Sequence, residues 1–157
     1  MDHALVVVEP TDAFESLVRE AAAYARGSGA ELLVLSFISP ETFEEDAETL
    51  GTIGNVENVS YGENTILQGH RSSLQQFVDP LIGDDVAYEC HVAVAEPDDR
   101  ADEIIDTADS AGSDHVFVHG RRRSPTGKAL FGDMTQRLLL NFDGLVTVSM
   151  TEEGYDR

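Results

Sequence analysis

Short apolar runs recur along the chain, and between them apolar residues return every three or four positions. Residues 4–8, ALVVV, run into Glu9-Pro10-Thr11-Asp12, which predicts a buried strand closed by a turn. From Thr11 to Arg26, Phe14, Leu17, Val18, Ala21, Ala22 and Ala25 fall at helical spacing. Thr11 or Asp12 is the expected N-cap of that helix, and Gly27 or Gly29 its stop. Residues 31–38, ELLVLSFI, predict a second buried strand. The acidic stretch 40–62, with weak periodicity, reads as a mobile insertion holding a short helix at 41–50. A further helix is expected over about 63–79, punctuated by Pro80 and Gly83. Residues 86–95 alternate and then run apolar, as a third strand does. Glu96-Pro97-Asp98-Asp99 opens another helix, whose inner face carries Ala101, Ile104, Ile105 and Ala108. Residues 115–118, HVFV, predict a fourth strand, 132–141 a last helix, and 145–150, LVTVSM, a fifth strand. The polar tail 151–157 is expected to fray.

Strands and helices therefore alternate through a single domain spanning 1–157. Parallel strands joined by right-handed helical crossovers give an open, doubly wound α/β sheet with helices on both faces. The expected strand order is 3-2-1-4-5. Ligands of such sheets bind beyond the carboxyl ends of the strands, where the strand order reverses. Residues 9–12, 37–40, 96–98 and 119–127 belong to that edge.

Charge changes this picture. Thirty acidic residues face ten basic ones, for a formal net charge of −20, and Lys128 is the single lysine. Such a surface repels nucleic acid and anionic membranes, so neither is an expected partner. An acidic, lysine-poor surface on a folded domain suits a salt-adapted cytoplasm, because molar salt shortens the Debye length to about 3 Å and removes the self-repulsion. The N-terminus MDHALVVVEP has no basic leader and reads as a strand, not a signal peptide. No apolar run is long enough to span a bilayer. Arg121, Arg122, Arg123, Lys128 and Arg137 make up half of the basic residues and fall within 17 positions. On so acidic a chain that cluster marks an anion site.

The cluster lies in the segment from Val118 to Asp133, between the fourth strand and the last helix. Gly120, Gly127 and Gly132 let a backbone approach a ligand closely, and the helix start offers N–H donors and a positive dipole end. The arginines add planar donors for phosphate. Ser124 and Thr126 are turn residues that also suit phosphate. The segment is not a P-loop, because Ala129 follows Gly127-Lys128 and the earlier glycine stands at 120 instead of 122.

It does resemble the glycine loop of the universal stress protein family, G-x2-G-x9-G-[ST]. Gly132 fits the last glycine, after the apolar Ala129-Leu130-Phe131. An ungapped count puts His119 and Arg122 at the first two glycines, and a one-residue shift puts Gly120 and Arg123 there. Asp133 takes the place of the hydroxyl residue. Residues 4–37 resemble the family's first strand–helix–strand, with Glu9 where an aspartate is usual, and residues 96–118 resemble its acidic turn, helix and strand. The chain is similar to an acidic, haloarchaeal type of member.

What the resemblance implies is an adenine nucleotide, ATP or AMP, bound with no metal cofactor. Glu9 and Thr11 would meet the adenosine, and Phe37 and Val118 the adenine. The phosphates would lie in the loop formed by His119, Gly120, Arg121, Arg122, Arg123, Ser124, Gly127, Lys128, Gly132, Asp133 and Thr135. Asp133 sets a carboxylate against a phosphate, which the arginines offset. Slow ATP hydrolysis is the most chemistry the resemblance implies, and no catalytic triad can be argued from spacing. The alternative is a regulatory or scaffold homodimer without nucleotide. In either case the resemblance implies dimerisation through the final strand, 145–150, whose apolar edge would otherwise lie open.

Among the remaining residues, His3, His70, His91 and His115 have no helical i,i+4 partner and suggest no metal site. Cys90 reads as a small buried hydrophobe. A phosphoreceiver domain shares the strand pattern, but Glu96-Pro97 stands where its acceptor aspartate would be.

The charge yields a first test. Thermal melts should show a higher midpoint in molar than in low KCl, because screening relieves the repulsion. An equal or higher midpoint at low salt would contradict the salt-adapted reading.

Overall fold

A computed structural model of the chain describes residues 3–46, 59–120 and 133–150; for 59–64 and 133 it describes the backbone alone. Five parallel strands form one sheet in the order β3-β2-β1-β4-β5, as expected. They are β1 (His3–Val7), β2 (Glu31–Ile38), β3 (Tyr88–Val94), β4 (His115–Gly120) and β5 (Leu145–Met150). The strands are connected by α1 (Glu15–Ser28), α2 (Val59–Ile82), α3 (Arg100–Ala111) and α4 (Asp133–Asn141), with a further helical segment at 40–46.

Alternation along the strands builds two cores. Ala4, Val6 and Val8 face one side and pack with Leu17, Val18 and Ala21 of α1 and Leu74, Val78 and Ile82 of α2. Leu5 and Val7 face the other side, with Ile104 and Ala108 of α3 and Leu138 of α4. Leu32 and Val34 of β2 join the first core, and Leu35 the second. A strand covered on both faces has no polar side, which is why β1 and β2 read as continuous apolar runs.

The helix boundaries differ from expectation in instructive ways. Thr11 caps a 3-10 turn, Asp12–Phe14, without a side-chain bond, and α1 begins only at Glu15. Gly29 closes α1 at φ 72, a left-handed conformation that glycine adopts without strain, with its N–H donating to Ala25. Likewise Pro97–Asp99 form a 3-10 turn before α3, and Asp99 makes no side-chain cap bond. α2 is longer than expected: it starts at Val59, inside the predicted insertion, and runs through Pro80 to Ile82. Proline costs a helix its own N–H bond, but here buried Ile82 lies beyond it and anchors the last turn. Residues 40–46 are helical, and 47–58 and 151–157 lie outside the described residues. β4 extends past the predicted 115–118 because β5 supplies ladder partners, His119 opposite Ser149 and Gly120 opposite Met150.

Leu5 is fully buried at the centre of the sheet. Leu5→Ala should cost about 2–5 kcal/mol in denaturant unfolding, through lost burial and the cavity left behind. A change at exposed Glu89 should stay within about 0.5 kcal/mol.

Candidate functional site

β1 and β4 are the neighbours between which the strand order reverses. Their register partners are few, Leu5–Val116 and Val6–Phe117, whereas β1 follows β2 over five residues. Past Val6 the chain stays with β2, since the Val8 N–H donates to Leu35 O at 2.9 Å. A crevice opens there, beyond the carboxyl ends of the strands. Its volume is about 860 Å³.

The crevice is walled by the turn after β1, the end of β2, the start of the 97–100 segment, the end of β4 and the first turn of α4. Glu9 and Thr11 stand exposed on its rim, in a tight turn where Thr11 N–H donates to Glu9 O at 2.7 Å. Phe37 forms part of the wall at the end of β2. The His119 ring packs on the Phe14 ring with centroids 4.6 Å apart. Ser36 and Thr135 bring buried hydroxyl residues to the lining, Thr135 at 3 % exposure.

Of the residues expected in the site, Glu9, Thr11, Phe37, His119 and Thr135 meet at this crevice. Val118 does not line it: its side chain is fully buried in the second core, because alternation along β4 turns it toward α3 and α4. Gly120 is a buried strand residue opposite Met150 and is also absent from the lining. Arg121, Arg122, Arg123, Ser124, Gly127, Lys128 and Gly132 lie outside the described residues. Asp133 is the first residue of α4. Arg137, counted in the basic cluster, turns away from the crevice: its Nη1 donates to Asp98 O at 3.2 Å and lies 3.7 Å from the Asp102 carboxylate, tying α4 to the start of α3.

Sequence reasoning missed Phe14, Thr42 and Arg100, all of which line the crevice. Phe14 fitted the apolar spacing of α1 and so read as core. Thr42 fell in the predicted insertion, whereas Ser39 belongs to the 37–40 stretch expected at the sheet edge; Ser39 Oγ accepts the Thr42 N–H at 3.1 Å and caps the helical turn at 40–46. Arg100 stands two residues beyond 96–98, a segment already expected at the sheet edge; its helix start was read only for capping.

The other polar candidates have structural explanations. His115 is buried, stacks on Phe117 with ring centroids 4.3 Å apart, and shares a 2.8 Å hydrogen bond with Thr147 of β5. Burial holds its imidazole below the ordinary pKa. Asp85, in the turn after α2, accepts Arg26 Nε at 2.7 Å. Among the described residues no group of three His, Cys, Asp or Glu side chains could hold a metal ion. Nor is any described helix long and apolar enough to cross a membrane.

A doubly wound sheet with a polar crevice at its switch point is the architecture on which α/β domains bind ligands. More narrowly, the chain belongs to the universal stress protein family, which it matches over residues 1–149. Among solved structures it is similar to universal stress protein UspA from Lactobacillus plantarum, with a TM-score of 0.61 and 20% identity over 94% of this chain and 96% of that one. It is also similar to a universal stress protein in complex with cAMP, with a TM-score of 0.58 and 15% identity over 96% of this chain and 97% of that one. A third, the Archaeoglobus fulgidus universal stress protein in complex with dAMP, gives a TM-score of 0.52 and 18% identity over 94% and 96%. At these identities the likeness speaks to the fold. No curated protein matches the chain.

Cys90 is buried in the first core, and burial pushes its thiol up to about 11. At pH 8 only about one thiol in a thousand would then be thiolate. A disulfide reagent should therefore react with the native protein far more slowly than with the urea-unfolded chain. Equal rates would contradict the burial of Cys90.

Proposed function

We propose that the chain is a stress-response module that binds an adenine nucleotide, ATP or AMP, in the crevice between β1 and β4. The observation that carries the reading is the meeting of Glu9, Thr11, Phe37, His119 and Thr135, from four distant stretches of sequence, in one crevice large enough for a nucleotide. Relatives of the same fold were solved with cAMP and with dAMP, which supports the same ligand class here. The adenosine end lies toward Glu9 and Phe37, and the phosphates toward the start of α4 and the basic segment beyond β4. The protein works in a salt-rich cytoplasm, a reading supported by its net charge of −20.

A second reading, a regulatory homodimer acting without nucleotide, is favoured by the open edge of β5. Leu145 is 63% and Met150 37% exposed on that strand, and Leu140 of α4 is 77% exposed. Pairing of β5 with its copy would cover the edge. The two readings are compatible if the dimer also binds nucleotide.

Calorimetric titration of ATP and AMP at fixed molar KCl tests the choice. Asp133→Ser should tighten ATP about tenfold, or about 1.4 kcal/mol, by removing a carboxylate from beside the phosphates. Replacing Arg121, Arg122 and Arg123 together by serine should weaken ATP and flatten its salt dependence. Absence of heat from wild type and from Asp133→Ser would leave the homodimer as the better reading.

A further inference from the structure

The crevice holds a cation that the nucleotide reading has not used. Arg100, the first residue of α3, lines the crevice and lays its guanidinium over the Phe37 ring, with Cζ 5.4 Å from the centroid. Its Nε donates to Ala95 O at 3.3 Å, at the end of β3. The side chain is thus held at two points, an aromatic face and a carbonyl. It forms no ion pair among the described residues, although the chain carries thirty acidic residues and Glu9 and Asp98 line the same crevice. Arg137 of α4 behaves differently: it lies against Asp102. A half-buried guanidinium that stays out of ion pairs on so acidic a protein is available for a ligand.

Position decides which part of the ligand it meets. Phe37 ends β2 and Ala95 follows β3, so Arg100 is anchored on the β2–β3 side. His119 and Thr135 lie on the β4 side of the crevice. With β1 between β2 and β4, and strands about 4.8 Å apart, the two sides are separated by about 10 Å, close to the span from a nucleobase to its phosphates. The guanidinium also covers the face of Phe37, so a planar group entering there meets Arg100 before it meets the ring.

We infer that Arg100 is the base-selecting residue of the crevice: its guanidinium, backed by Phe37, is the platform on which a purine stacks. This rests on the nucleotide reading above and adds to it a residue and a preference. Planar guanidinium and aromatic faces are established stacking surfaces for bases, and a two-ring purine covers more of such a surface than a one-ring pyrimidine.

The test separates stacking from a phosphate contact. Adenosine, AMP, CMP and ribose 5-phosphate are titrated into wild type, Arg100→Gln and Arg100→Lys at fixed molar KCl, after thermal melts establish that each variant is folded. Lysine keeps the charge and loses the plane. Both variants should weaken adenosine and AMP alike, by roughly five- to tenfold, leave ribose 5-phosphate unchanged, and narrow the preference for AMP over CMP. Unchanged adenosine binding in both variants overturns the assignment while leaving the nucleotide reading intact. So does a loss confined to AMP and rescued by lysine, which would make Arg100 a phosphate contact. If wild type binds neither adenosine nor AMP, the nucleotide reading falls and the assignment falls with it.

Discussion

From Ala4 to Val7, β1 is buried on both faces, and it has a parallel neighbour on each side. The rest of the architecture depends on that double burial. A strand of this kind must be covered by helices above and below, and parallel pairing forces each connection to cross back over the sheet. α1 and α2 take one face and α3 and α4 the other. Because β2 lies on one side of β1 and β4 on the other, the connections diverge at the carboxyl end of β1. The short ladder between β1 and β4 leaves the space between the diverging loops unfilled. The crevice is thus a consequence of topology, and its lining is chosen by whichever residues happen to follow the strands.

What those residues offer is a mixed surface. Phe14, Phe37 and Met134 supply apolar walls, while Ser39, Thr42 and Thr135 supply hydroxyls. The walls are fixed from behind. Ser39 caps the helical turn at 40–46, His119 packs against Phe14, and Arg137 joins α4 to the Asp98 carbonyl at the start of α3. A site whose supports are committed to one another is preorganised for a ligand, which lowers the entropy cost of binding. The acidity of the chain sharpens the contrast: with so much negative charge elsewhere, each cation near the crevice weighs heavily in attracting an anion.

The two sheet edges are treated differently. β3 carries Glu89 and His91 exposed and has no further strand beside it among the described residues, and polar groups discourage strand pairing. β5 presents Leu145 and Met150. It is held to β4 by six register pairs and by the His115–Thr147 hydrogen bond.

Fold class and most element positions were legible in the sequence, because burial on two faces writes continuous apolar runs and helix packing writes a three-to-four-residue period. β5 was read to the residue, since both its ends are marked by a change from polar to apolar. Placement of Glu9, Phe37 and His119 at one edge also followed from strand polarity alone. Tertiary structure decided what periodicity cannot carry. Val118 went into the core because strand alternation, fixed by the register with β5, turned it inward. α2 passed through Pro80 because Ile82 had a core to reach. Arg100 became part of the crevice because Phe37 and Ala95, about sixty and five residues earlier in the chain, lie within reach of it in the folded sheet. Contacts between residues so far apart depend on how strands are ordered in space, and local sequence contains no term for that order.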